Sequence, residues 1–209
     1  MKIESLKTTP DRMGRYWVQF SDGTRMGLYR QTVEDFALYA GMELDEERFA
    51  QLKIAAGQMS AKMRAVRIVS ASSVSKRDLE QRLGHKGEDP AQAREAVQWM
   101  ADMDLLDDRK TAEQVVQSCI RKGYGPARAK QALYEKKIPK HLWEEALEDY
   151  PDMTEQITEF LRTKLSNTWD EKDLNRAIDA AMRRGHSYGQ IRRALSAMQG
   201  YDDGFPEEY

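Results

Sequence analysis

Apolar positions along this chain change character partway. Between Arg15 and Tyr29 they are rich in the aromatic and β-branched residues of strands: Arg15-Tyr16-Trp17-Val18-Gln19-Phe20 and Thr24-Arg25-Met26-Gly27-Leu28-Tyr29 flank Asp22-Gly23, a strong hairpin turn signal. Lys2 to Thr8 offers a third strand, and three strands with an apolar face persist where a lone hairpin does not. The pattern then predicts a helix from about Thr32 to Tyr39, stopped by Gly41, and another from Asp45, a good N-cap, to about Ala55. Ala56-Gly57-Gln58-Met59-Ser60 reads as a break and a domain boundary.

From Ala61 onward the period is helical. Ala112, Val115, Val116, Cys119 and Ile120 stand at i, i+3, i+4, i+7 and i+8, as do Leu174, Ala177, Ile178, Ala181 and Met182. Met153, Ile157, Phe160 and Leu161 form a similar stripe. Each is one face of a helix that must pack on a neighbour. Asp89-Pro90 and Gly125-Pro126 mark helix starts, and Asp152-Met153-Thr154-Glu155 has the form of a capping box. Lys86-Gly87, Lys122-Gly123 and Arg184-Gly185 mark ends, where glycine accepts the left-handed conformation that closes a helix.

These elements repeat. Ser75, Leu79 and Leu83 share a four-residue spacing with Gly125, Ala129 and Leu133, and with Ser187, Ile191 and Leu195. A small capping residue opens each short helix, and its two apolar positions lie one turn apart. Two near-identical lead-ins precede the later copies: Arg121-Lys122-Gly123-Tyr124-Gly125 and Arg183-Arg184-Gly185-His186-Ser187. A unit this small cannot bury its own apolar face, so neighbouring copies are expected to stack.

Composition narrows the class. A third of the residues are charged, no apolar run is long enough to cross a bilayer, and Met1-Lys2-Ile3-Glu4-Ser5 lacks the apolar core of a secretory signal. The single cysteine, Cys119, excludes an internal disulfide framework and fits a reducing cytoplasm. The net charge of −2 is uneven, at −1 over 1–60, +3 over 61–198 and −4 over 199–209. The middle of the chain therefore permits a polyanionic partner without demanding one.

Specific chemistry is sparse. Asp102, Asp104, Asp107 and Asp108 crowd together but lack the ligand spacing of a calcium loop, so turn and cap roles are expected. His85, His141 and His186 have no Cys or His at zinc-ligand spacing. Cys119 reads as packing rather than as a nucleophile, and Lys122-Gly123-Tyr124-Gly125 has no phosphate-loop frame. Trp99, Trp143, Trp169 and Tyr124 are expected in the core or between repeats. No catalytic residue, cofactor or metal is predicted.

At the level of motifs the chain resembles the RecX family, bacterial regulators of the RecA recombinase. Ser75-x-x-x-Leu79-x-x-x-Leu83-x-x-Lys86-Gly87 is similar to the family's first helical motif. Leu105-Leu106-Asp107-Asp108 resembles its Leu-Asp-Asp turn, with Asp104 and Leu105 where members usually carry glycine and an aromatic residue. The segment from Gly125 to Lys136-Lys137-Ile138 resembles its Lys-Gly-Ile segment, with Lys137 in place of glycine. Arg183-Arg184-Gly185-His186-Ser187 resembles its Arg-Arg-Gly-Phe-Ser motif, with His186 in place of phenylalanine. The resemblance covers about Lys62 to Met198, and the strand-rich start is similar to an extension found in some members.

The resemblance implies a mainly α fold, with tandem three-helix repeats in an elongated, curved array after a small strand-rich α+β segment. The expected divisions are 1–60 for that segment, 61–108, 109–150 and 151–198 for the repeats, and 199–209 for an acidic disordered tail. It also implies a non-catalytic, cytoplasmic protein, expected as a monomer. Its partner would be the RecA filament on single-stranded DNA, where family members restrain ATP hydrolysis, strand exchange and coprotease activity. Candidate contact residues come from the cations themselves. Arg121-Lys122 and Arg183-Arg184 precede the glycine turns, although cations in a last helical turn also complement the helix dipole. Lys130 and Arg192 hold equivalent repeat positions and, with Arg193, Lys136 and Lys137, outline a basic stripe toward filament or DNA. The competing class is a helix-turn-helix transcription regulator reading duplex DNA with Arg192 and Arg193.

Overall fold

A computed structural model describes residues 1–165 and 170–198. The chain divides into two compact units, Met1–Asp107 and a second that begins at Asp108. No helix among the described residues is long and apolar enough to cross a membrane.

The first unit opens with an antiparallel sheet of β1 (Ile3–Leu6), β2 (Arg15–Phe20) and β3 (Arg25–Tyr29), in that order. Trp17 pairs with Gly27 and Val18 with Met26, so Val18, Phe20 and Leu28 share the buried face, as the alternation requires. Helix α1 (Arg30–Asp35) is shorter than expected. Ala37 turns left-handed (φ 47°) and ends it well before Gly41.

The predicted break at 56–60 is absent. Helix α2 (Glu46–Ala71) runs through it without interruption, capped at Asp45, whose side chain accepts from the Arg48 amide. Gln92 of α4 (Pro90–Asp102) packs beside Gly57, where a Cβ would stand 2.3 Å from the flexible end of that side chain, Oε1. The helix thereby serves two cores. Leu52 packs with Ile3, Phe20 and Leu28, while Ala61 and Ala65 pack with Leu79 and Leu83 of α3 (Lys76–His85) and with Ala96 and Met100 of α4. Small residues at 61 and 65 let the helices approach closely, as ridge-into-groove packing demands.

The second unit holds α5 (Asp108–Arg121), α6 (Pro126–Glu135), a 3-10 turn at Lys140–Leu142 and α7 (Trp143–Leu147). It continues with α8 (Thr154–Lys164), α9 (Glu171–Arg183) and α10 (Tyr188–Ala197). Ala112, Val116, Leu133 and Ile138 form one core; Met153, Ile157, Leu161, Ile178, Ala181, Ile191 and Leu195 contribute to the next. Tyr150 packs against both. The stripes hold, except that Met182 is 43% exposed.

Caps follow the sequence with one correction. Ser75 and Ser187 cap α3 and α10, the latter through a complete capping box with Gln190. The 152–155 segment makes no such box. Met153 is the N-cap residue, and the Asp152 carboxylate instead takes the Thr154 amide and hydroxyl. Gly125 is the N-cap residue of α6, with Pro126 at the first helical position, and having no side chain it makes no cap bond.

Candidate partner-binding surface

The two lead-in motifs dock onto each other. The Gly125 amide donates to the Arg184 carbonyl at 2.9 Å, and the Ala127 amide to that of Gly185 at 3.3 Å. A Cβ on Gly125 would lie 2.1 Å from the Gly185 carbonyl oxygen, and one on Gly185 2.3 Å from the Arg128 amide nitrogen. Only glycine allows this crossing. Gly123 and Gly185 also take left-handed conformations (φ 65° and 88°) that turn the chain out of α5 and α9.

Side chains complete the contact. One Arg184 Nη donates to the Lys122 carbonyl at 2.7 Å, and its guanidinium lies 5.1 Å from the Tyr124 ring centre and 4.6 Å from that of Phe160. Tyr150 Oη donates to the Tyr124 carbonyl at 2.6 Å, and burial pushes the phenol up to about 12. His186, 5% exposed, sets Nε2 3.1 Å from the Gly123 carbonyl while Nδ1 is buried without a partner. Burial, opposed by that carbonyl and aided by the Arg184 charge, holds its pKa below the usual histidine value. His186 thus stands where the family motif has phenylalanine, with the Gly123 carbonyl as its partner. A ring is retained, and a hydrogen bond is added.

Two other departures from the motifs obey the same geometry. Lys137 and Asp104 both have positive φ, 56° and 55°, at the positions where the family pattern has glycine. The backbone keeps the left-handed turn even though the side chain changed.

Against this frame the predicted contact residues separate into groups. Arg121, Lys122, Lys130, Arg183, Arg192 and Arg193 are exposed, whereas Lys136, Lys137 and Arg184 are half-buried. Arg184 is turned inward by its aromatic neighbours, which sequence spacing alone does not reveal. Lys130 borders an open groove of about 1090 Å³ that also carries Glu144, Glu145 and Glu148. Arg193 lies close enough to Asp152 to help depress its carboxyl, after the bonds from Thr154. The stripe is therefore interleaved with acids.

The remaining sequence expectations place simply. Cys119 is buried and burial raises its thiol pKa. Trp99 and Trp143 are half-buried against apolar cores, and Trp143 Nε1 donates to the Ile138 carbonyl at 3.0 Å. Trp169 and the 199–209 tail lie outside the described residues. Among the described residues no group of His, Cys, Asp and Glu is arranged to hold a metal.

Comparison with known proteins agrees with the motifs. The family model described as RecX, second three-helix domain, matches residues 107–147. The Regulatory protein RecX of Vibrio campbellii is 26% identical over 147 residues, covering 69% of this chain and 95% of that relative. The Regulatory protein RecX of Clostridioides difficile is 24% identical over 208 residues, covering 97% and 96%. A crystal structure of regulatory protein RecX superposes with a TM-score of 0.67 at 20% identity, over 93% of this chain and 98% of the other. The RecX structure from Lactobacillus salivarius gives 0.62 at 21%, over 69% and 97%. These two structural likenesses establish the fold: mainly helical, with a small three-stranded sheet at the start. In its motifs, in the family model over 107–147, in these relatives and in its fold, the chain is similar to the RecX family.

Proposed function

We propose that this chain is a non-catalytic regulator that binds the RecA filament on single-stranded DNA along its helical groove and restrains ATP hydrolysis, strand exchange and coprotease activity. Its relatives carry the name Regulatory protein RecX, which supports a regulatory role and does not favour the transcription-regulator alternative. In this scheme the chain acts as a cytoplasmic monomer, with 61–108, 109–150 and 151–198 as successive repeat units.

The observation that carries the proposal is the division of roles within the second unit. Gly123, Gly125 and Gly185, the apolar stripes, Arg184 and His186 hold the repeats together. Arg121, Lys122, Lys130, Arg183, Arg192 and Arg193 stay exposed around that frame. Surface cations held on a rigid scaffold suit an extended, polyanionic or acidic partner. Lys136 and Lys137, half-buried at the end of α6, contribute at its margin. Co-sedimentation with RecA assembled on poly(dT) tests the proposal. The chain is expected in the pellet with the filament, and its retention in the supernatant at saturating RecA would count against filament binding.

A further inference from the structure

A second cationic feature lies in the first unit. Arg64 and Arg67 stand one turn apart on α2, and Arg82 and Lys86 one turn apart at the end of α3. With Ser72, and with Met13 from the loop between β1 and β2, they line a surface hollow of about 450 Å³. No carboxylate contributes to the lining.

The acids stand behind the cations instead. Arg64 Nε is 2.7 Å from Glu88 Oε1, and the Glu88 side chain is 7% exposed. Ser60 Oγ donates to the same carboxylate oxygen, and Arg64 also donates to the Lys86 carbonyl. One Arg82 Nη is 2.9 Å from Asp78 Oδ2, and that side chain is 8% exposed. Two guanidinium groups are thus fixed from the rear. Arg67 is held differently, by a bond to Tyr29 Oη and by Met13 Sδ at 3.8 Å, both neutral groups from the sheet segment. Lys86 has no ion-pair partner among the described residues.

Stability accounts for Arg64 and Arg82, because a buried carboxylate needs a cation. It does not account for Arg67 and Lys86, which add two uncompensated positive charges to a hollow that already holds two. Gathering like charges costs free energy unless an anion relieves it. Planar guanidinium groups with spare N–H donors, pre-oriented by their rear partners, match phosphate oxygens. Met13 and the Ile68 side chain add apolar surface suited to a sugar or base edge. A concave hollow admits a flexible strand more readily than the convex backbone of a duplex.

We infer that this hollow binds the phosphodiester backbone of single-stranded DNA. The choice of single-stranded DNA rests on the filament function proposed above.

The test is fluorescence anisotropy of labelled (dT)20 with the full chain over a range of salt, for the parent, Lys86→Gln, and Arg67→Gln/Lys86→Gln. The double variant is expected to bind on the order of tenfold more weakly. Its log–log salt slope should be smaller by about 1.4, and that of Lys86→Gln by about 0.7, at about 0.7 per lost contact. Lys86→Gln keeps the test decisive if loss of the Arg67–Tyr29 bond disturbs folding. Unchanged titrations in both variants overturn the site. A duplex of equal length that outcompetes (dT)20 only when Arg67 and Lys86 are present overturns the choice of single strands. Parallel RecA ATPase assays separate the two proposals. Hollow-dependent binding of (dT)20 with no effect on RecA upholds the site and removes the filament reading, whereas inhibition of RecA with (dT)20 binding indifferent to both side chains does the reverse.

Discussion

Gly125 and Gly185 cross so closely that the Cβ of any larger residue at 125 would lie 2.1 Å from the Gly185 carbonyl oxygen. These glycines come from the two copies of one lead-in motif, so the repeat recognises itself. The crossing lies between the core around Val116 and Leu133 and the core around Ile178 and Ile191, and it fixes how these two repeats pack.

Gly125→Ala should therefore destabilise the protein by about 1–3 kcal/mol or more, since backbone rather than a flexible side-chain end must yield. Gly189→Ala is the contrast. Nothing lies within 4 Å of the added methyl on α10, and replacing a helical glycine should add up to about 0.5–1 kcal/mol. Urea midpoints of the two variants are expected to move in opposite directions.

Lys137 pays for a left-handed backbone with a side chain that disfavours it. Lys137→Gly should hold or raise stability, by up to about 1 kcal/mol, while the β-branched Lys137→Val should lower it by more than about 1 kcal/mol. Thermal melting of both variants checks the sign. Equal melting temperatures would mean the turn tolerates any residue.

His186 makes stability depend on pH. Its folded pKa lies below the ordinary 6.5 because the ring is buried, so between those values the unfolded chain binds more protons. Its contribution is complete above pH 6.5 and is lost as pH falls through the folded pKa. His186→Phe should melt with a flatter pH profile between 5 and 7.5, and a profile as steep as the parent's would assign the dependence to other groups.

Tyr150→Phe removes the hydroxyl that donates to the Tyr124 carbonyl. About 1 kcal/mol should be lost, with the ring still packed between the two cores. The parent should also lose stability as pH rises from 10 toward about 12, because the folded chain holds this proton longer than the unfolded one. The variant should lack that part of the alkaline decline.

Much of the fold is legible in the chain itself. The strand formers and hairpin turn from Arg15 to Tyr29, the stripes of α5, α8 and α9, and the glycine stops at 87, 123 and 185 rest on local chemistry, and they stand as the residues dictate. What failed or went unread was decided by tertiary contact. Gly57 looks like a helix breaker, yet α2 runs through it, with Gln92 of α4 packed beside it. Gly125 is the cap residue it looks like, but only the fold shows that its missing Cβ also makes room for Gly185. Arg184 looks like a surface cation beside Arg183, but only the positions of Tyr124 and Phe160 show that it turns inward. The cluster at Arg64, Arg67, Arg82 and Lys86 went unread in the sequence, because its two pairs converge only through the way α2 meets α3.

The central claim concerns RecA, and RecA's own ATP hydrolysis on single-stranded DNA measures it most directly. The parent chain should slow hydrolysis at well below one copy per RecA protomer. Lys130→Glu/Arg192→Glu/Arg193→Glu should need substantially more protein for the same effect while keeping its helicity and melting temperature. Hydrolysis that continues unchanged at saturating parent protein would contradict the proposed function.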